Sequence, residues 1–92
     1  MGKTLVIFTL NGCSHCQKLK KRLSENDLSF DEVEINSNKN LWEQVVQQTG
    51  HNVLPTVFIK EEQKDTGLVY VPGRDYSNED EIFEIIQKHL NE

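Results

Sequence analysis

Apolar residues along this chain follow two spacings, one typical of strands and one typical of helices. Four apolar segments have the length and composition of strands: residues 4–9, 30–35, 56–59 and 68–71. Three segments repeat apolar residues at helical spacing: residues 14–26, 39–49 and 77–90. The pattern therefore predicts the element order βαβαββα.

Each predicted helix has an apolar stripe that indicates its buried face. In the first helix the stripe is Cys16, Leu19 and Leu23; in the second, Leu41, Trp42, Val45 and Val46; in the third, Ile82, Phe83, Ile86 and Leu90. Ser77 and Asp80 have the spacing of a capping box at the start of the third helix. Residues 60–66 are polar and predict a turn between the last two strands.

These elements predict an α/β domain with one mixed sheet. A strand, a crossover helix and a second strand favour a parallel pair, whereas the last two strands form a hairpin and are antiparallel. We expect four strands with helices on both faces. With 92 residues and no repeat or linker, the chain has room for one domain, which we assign to residues 1–92.

Charge and hydropathy exclude several classes of function. A formal net charge of −5 disfavours general nucleic-acid binding. No apolar run approaches the roughly 20 residues of a membrane span, and the short N-terminal run leads into cysteines rather than a cleavage site. We therefore expect a protein that binds neither nucleic acid nor membrane, and we expect no signal peptide. We expect it to be cytoplasmic because its cysteine usage suits a reducing compartment.

The two cysteines of the chain lie in Cys13-Ser14-His15-Cys16, between the first strand and the first helix. A thiolate is the species that attacks disulfides, and helix-terminal N–H groups stabilise it. A structural disulfide over so short a loop stabilises little. Zinc needs four ligands, and His51 and His89 are scattered, so we expect no metal site. The motif indicates a thiol–disulfide redox pair in which Cys13 is exposed and Cys16 faces inward.

Further residues give the chain a family likeness over nearly its whole length. Thr49-Gly50 precedes the third strand, residues 53–59 read Val-Leu-Pro-Thr-Val-Phe-Ile, and Gly73 precedes the last helix. Together with the cysteine motif, in this order, the set resembles a dithiol glutaredoxin of the thioredoxin-fold group. The resemblance implies a thioredoxin-like fold and an enzyme that reduces protein disulfides or glutathione mixed disulfides.

The resemblance also implies roles for individual residues. Cys13 is the expected nucleophile and Cys16 the resolving thiol. Leu54 precedes a cis-proline, Pro55, and offers backbone hydrogen bonds to glutathione. The remaining glutathione-site candidates are Asp75, Ser77 and Lys39. Glutathione is then a co-substrate, no cofactor is tightly bound, and the expected partners are glutathione and disulfide-containing proteins, with the chain itself a monomer.

The chain departs from the family pattern at several positions. Leu10 replaces a frequent lysine, Val53 replaces a common threonine, and Ser14-His15 stands where many members have Pro-Tyr. The absence of a lysine at Leu10 keeps one alternative open, reduction by a thioredoxin-reductase-type flavoenzyme. A separate alternative is an iron–sulfur-binding module at a dimer interface, with Cys13 and glutathione as ligands. His15 is either a local cation that lowers the pKa of Cys13 or an exposed spacer.

Overall fold

A computed structural model describes residues 3–61 and 67–90 of the chain. Strands and helices occur in the predicted order: β1 (Lys3–Thr9), α1 (Ser14–Glu25), β2 (Asp31–Glu34), α2 (Lys39–Thr49), β3 (Thr56–Glu61), β4 (Gly67–Tyr70) and α3 (Glu79–Leu90). A single 3₁₀ turn, Ile35–Ser37, joins β2 to α2.

The strands form one mixed sheet in the order β2-β1-β3-β4. β1 pairs in parallel with β2, and it pairs antiparallel with β3 on its other side. Ile7, in the middle of β1, is opposite both Glu32 and Val57. The predicted thioredoxin-like architecture, with its parallel first pair and antiparallel hairpin, is confirmed.

The main core lies between the sheet and the helices α1 and α3. Alternate residues of the central strands point into it because side chains of a strand alternate between its two faces. Leu19 and Leu23 of α1 and Ile82 and Ile86 of α3 are fully buried. Leu5, Ile7, Val57 and Ile59 of the sheet complete this face. α1, which begins at the cysteine motif, therefore rests on the best-packed part of the molecule.

The opposite face of the sheet is packed more loosely, under α2. Phe8 and Trp42 are buried, and their ring centroids lie 5.6 Å apart. Beside them is a cavity of about 400 Å³ lined by residues of the sheet and of α2. The predicted stripe of α2 is wrong at Leu41, which is 44% exposed. α2 contacts this face through Trp42 and leaves Leu41 at the rim of the cavity.

Several predicted boundaries are also wrong. Lys60 and Glu61 belong to β3 and not to a turn, because they pair with β1; residues 62–66 lie outside the described part of the chain. The cap of α3 lies one residue later than Ser77, because the side chain of Asn78 accepts from the amide of Glu81 at 2.9 Å.

Within residues 3–61 and 67–90, no helix has the length and apolar character needed to cross a bilayer.

Candidate active site

The cysteine motif lies at the turn between β1 and α1. Cys13 donates its amide to the carbonyl of Leu10 at 3.0 Å, which closes the turn. Gly12 has a φ of 87°, a conformation that glycine adopts readily because it lacks Cβ. Cys13 is extended and is the N-cap of α1, so its side chain lies at the helix N-terminus. This placement matches what the motif predicted.

Cys13 and Cys16 are joined by a disulfide, with their Cα atoms 5.3 Å apart. The amide of Cys16 also donates to Sγ of Cys13 at 3.2 Å. Cys16 is only 1% exposed, whereas Cys13 is partly exposed. The two cysteines therefore differ in exposure, and one backbone donor is directed at the sulfur of the more exposed one.

His15 connects the motif to α3. Its Nδ1 lies 3.0 Å from Oε1 of Glu79, across 64 residues of sequence. This hydrogen bond lowers the pKa of Glu79 below its ordinary value. The His15 side chain is 68% exposed, and this contact links the first turns of α1 and α3.

A cleft of about 170 Å³ runs from His15 along the start of α3. Leu54 and Pro55 form one wall, and the peptide bond between them is cis, as the resemblance implied. Tyr76 packs beside them and donates its hydroxyl to the carbonyl of Pro55. Burial raises the pKa of Tyr76, so the hydroxyl keeps its proton and remains a donor. The proline loop is thus tied to the segment that precedes α3.

Ser77 also lines this cleft, but its backbone amide already has a partner. It donates to Oε1 of Glu81 at 2.6 Å. Asn78 accepts from the amide of Glu81 in return, so side chains of the chain itself satisfy these two donors at the start of α3. Ligand binding through the Ser77 amide would require Glu81 to move.

Asp75, another predicted glutathione contact, faces its own loop. Its Oδ2 accepts from the amide of Val71 at 2.8 Å and from Nε of Arg74 at 2.9 Å. Partial burial raises the pKa of Asp75, but the hydrogen bonds from Arg74 and Val71 outweigh it and hold the pKa below its ordinary value. Asp75 does not line the cleft.

Lys39 begins α2, is exposed, and does not line the cleft. Two of the basic residues on α1 make contacts within the protein. Lys20 contacts Glu32 at 2.7 Å, and Arg22 pairs with Asp80 and lies 4.5 Å over the ring of Phe83.

Among residues 3–61 and 67–90, no three His, Cys, Asp or Glu side chains are grouped as a metal site would require.

Sequence reasoning missed the parts played by Tyr76 and Glu79. Both contacts join distant segments: Tyr76 reaches Pro55, 21 residues away, and Glu79 reaches His15. Glu79 lies in an acidic first turn, and acidic residues are common there because they interact favourably with the helix dipole. A local pattern therefore held no signal for either contact.

Comparison with known proteins identifies relatives of the chain. The glutaredoxin family pattern matches residues 5–63. Glutaredoxin 3 of Escherichia coli strain K12 is 32% identical over 53 residues, which are 58% of this chain and 64% of that protein. The glutaredoxin-like protein NrdH of Lactococcus lactis subsp. lactis is 30% identical over 53 residues, or 58% of this chain and 72% of NrdH. The match thus spans less than two thirds of the E. coli relative.

Among solved structures, that of a buckwheat glutaredoxin–glutathione complex is similar, with a TM-score of 0.59 and 18% identity. The alignment covers 95% of this chain and 71% of that one. At this identity the likeness concerns the fold.

Proposed function

Because this chain belongs to the glutaredoxin family, we propose that it is a thiol–disulfide oxidoreductase that uses Cys13 as nucleophile and Cys16 as resolving thiol. Its substrates in this proposal are protein disulfides and glutathione mixed disulfides. The catalytic groups all belong to the chain, so the reaction requires no bound metal or organic cofactor. The reducing environment of the cytoplasm is the compartment that suits such a dithiol, and we propose that the chain acts there as a monomer.

The observation that carries this proposal is the hydrogen bond from the Cys16 amide to Sγ of Cys13, at 3.2 Å. An N–H donor and the positive end of α1 both stabilise negative charge at that atom more than the neutral thiol. We therefore expect the pKa of the reduced Cys13 thiol to lie below the ordinary value of about 8.5. Cys16 is 1% exposed, so it is shielded from substrates in solution. It reacts only after the first exchange has formed a mixed disulfide at Cys13.

The reaction comprises two exchanges. The Cys13 thiolate attacks one sulfur of the substrate disulfide, forms a mixed disulfide, and releases the other sulfur as a thiolate that takes up a proton. Cys16 then loses its proton and attacks Sγ of Cys13, which releases the second substrate thiol. The products are a reduced substrate and the Cys13–Cys16 disulfide, the form seen in the structure. Two electrons have moved from the protein to the substrate.

Regeneration requires a dithiol equivalent, which we propose is supplied by two molecules of glutathione. The first forms a mixed disulfide with Cys13, and the second releases oxidised glutathione. Family membership supports this route. In this proposal the backbone of Leu54, beside Pro55, pairs with the cysteinyl part of glutathione, Ser77 and Asp75 contact its γ-glutamyl end, and Lys39 contacts its glycine carboxylate.

A thioredoxin-reductase-type flavoenzyme is a second candidate for the reductant. Specific observations favour it: the Ser77 amide and the Asp75 carboxylate both have partners within the chain, and Leu10 provides no cation near Cys13. A coupled assay that compares glutathione plus glutathione reductase with a thioredoxin reductase, each supplied with NADPH, distinguishes the two sources of electrons.

Single-cysteine variants test the roles of the two thiols. Cys13→Ser should lose activity on both substrate classes. Cys16→Ser should retain reduction of glutathione mixed disulfides, in which glutathione itself resolves the intermediate, and lose most reduction of protein disulfides. Ser14→Ala, which changes an exposed residue of the same motif, serves as the control. Equal loss of both activities in Cys16→Ser contradicts the assigned roles, and visible absorption of the anaerobic protein would favour an iron–sulfur module instead.

A further inference from the structure

The cleft beside the redox motif has an unusual charge for a protein whose proposed reductant is acidic. Glutathione has two carboxylates and one ammonium group. Among the described residues that line the cleft, Glu79 is the one with a carboxylate, and none is a lysine or an arginine. Glu79 is about 25% exposed, so a ligand in the cleft can reach its carboxylate. Its lowered pKa keeps it ionised at neutral pH.

Two backbone donors at the start of α3 already have partners within the chain. Unpaired N–H groups in a first turn form an anion site, but Glu81 already accepts from the amide of Ser77 and Asn78 accepts from the amide of Glu81. An incoming carboxylate would compete with the Glu81 carboxylate for the Ser77 amide and would meet Glu79 nearby. The end of the cleft beside Glu79 is therefore better suited to a neutral or positively charged group than to an acidic one.

Glu79 can accept a further donor without losing His15. A carboxylate offers about four acceptor positions, and the donors that hold Glu79 are His15 and its own backbone amide. Lys18 of α1 is close enough to lower the pKa of Glu79, but it does not line the cleft. Leu54 and Pro55 line the cleft together with Glu79, so a cation bound beside them can reach the same carboxylate.

We propose that Glu79 is a specificity-determining residue that selects disulfide substrates with a lysine or arginine next to the cysteine that Cys13 attacks. The inference rests on the proposed function and narrows its substrate class. The substrate chain lies along the cleft past Pro55, and its basic side chain meets the Glu79 carboxylate at the start of α3. Substrates with an acidic neighbour meet like charge at the same place.

Three disulfide peptides that differ only at the residue after the cysteine test this inference: one has lysine there, one glutamine and one glutamate. With the reduced wild-type protein at low salt, kcat/KM should be higher for the lysine peptide than for the glutamate peptide by about three- to tenfold, the range expected of partly exposed charges. The ratio should fall towards one at about 1 M salt, where the Debye length is about 3 Å.

Glu79→Gln should bring the lysine-to-glutamate ratio close to one at low salt. Glu84→Gln is the matched control, since it removes the same charge from an exposed position of the same helix, away from the cleft, and it should keep the wild-type ratio. Equal rates for the lysine and glutamate peptides in the wild type, or equal effects of the two substitutions, overturn the inference. Failure of the wild type to reduce even the glutamine peptide overturns the proposed function itself, so the two failures are distinguishable.

Discussion

The two faces of the sheet differ in how completely they are packed. On the face covered by α1 and α3, Ile7, Val57 and Ile82 are all 0% exposed. On the α2 face, Leu41 is 44% exposed and a cavity of about 400 Å³ remains between helix and sheet. The cysteine motif begins α1, and the cleft borders the start of α3. The closely packed face is therefore the one whose helices position the two sulfur atoms and Glu79.

The largest expected difference between the faces concerns truncation. Ile82→Ala should lower the free energy of unfolding by about 2–5 kcal/mol, because it leaves a cavity in a closely packed core. Leu41→Ala, which removes a side chain of the same size from the rim of the α2 cavity, should lower it by less than about 1 kcal/mol. Urea denaturation of both variants measures this, and similar losses in the two would show that the faces are equally important to stability.

The hydroxyl of Tyr76 ties the packed face to the cleft. Tyr76→Phe removes the donor to the carbonyl of Pro55, a buried residue, and should lower the free energy of unfolding by about 1–3 kcal/mol. It should also raise KM for peptide disulfides, since Pro55 lines the cleft. Alkylation of reduced Cys13 by iodoacetamide is the control and should keep its rate. A variant with unchanged stability would show that this hydrogen bond contributes nothing.

Adding one methylene group should have opposite consequences on the two faces. Val57→Ile overfills the α1/α3 face and should be destabilising by about 1–3 kcal/mol. Val33 lines the cavity of about 400 Å³. Val33→Ile should therefore change the free energy of unfolding by less than about 1 kcal/mol, and contact of the added methyl group with the cavity wall makes the change stabilising. Thermal unfolding of the two variants compares them directly, and a larger loss for Val33→Ile would mean that the cavity is closed in solution.

The smallest effect concerns Glu32, at the edge strand of the packed face. Hydrogen bonds from Lys20 and then Thr9 lower its pKa from the ordinary 4.5. A carboxyl with a lowered pKa stabilises the fold above its unfolded-state pKa, and the stabilisation is lost as the pH falls through the folded-state pKa. Glu32→Gln should therefore lower the free energy of unfolding by about 0.2–1 kcal/mol at neutral pH, and the difference from wild type should shrink in acid.

The sequence predicted the packed face more fully than the α2 face or the cleft. Leu19, Leu23, Ile82 and Ile86 follow a helical repeat, and local spacing alone assigns them to one side of α1 or α3. Leu41 follows the same repeat on α2 but is exposed, because the repeat cannot indicate how closely a helix approaches its sheet. The extension of β3 through Lys60 depends on its pairing with β1, which a polar local sequence does not show.

In the candidate site, too, some features follow from local sequence and others depend on contacts with other parts of the chain. The strand-to-helix position of Cys13 and Cys16 follows from local sequence, and the structure agrees with it. The satisfied amide of Ser77 and the internally paired Asp75 depend on Glu81 and Arg74, whose side chains compete with any ligand for the same atoms. Residue type and order indicate that a group is present, but they do not indicate whether another part of the chain already occupies it.

The N-cap role of Cys13 makes the start of α1 part of a thermodynamic cycle. Its sulfur accepts from the amide of Cys16, and a thiolate is a stronger acceptor than a disulfide sulfur because it is charged. Whatever strengthens the first turn of α1 in the reduced protein also stabilises the thiolate, and by linkage makes the dithiol a weaker reductant. Substitutions in this turn should therefore shift the melting temperature of the reduced protein and its midpoint potential together, as two measurements of one free energy.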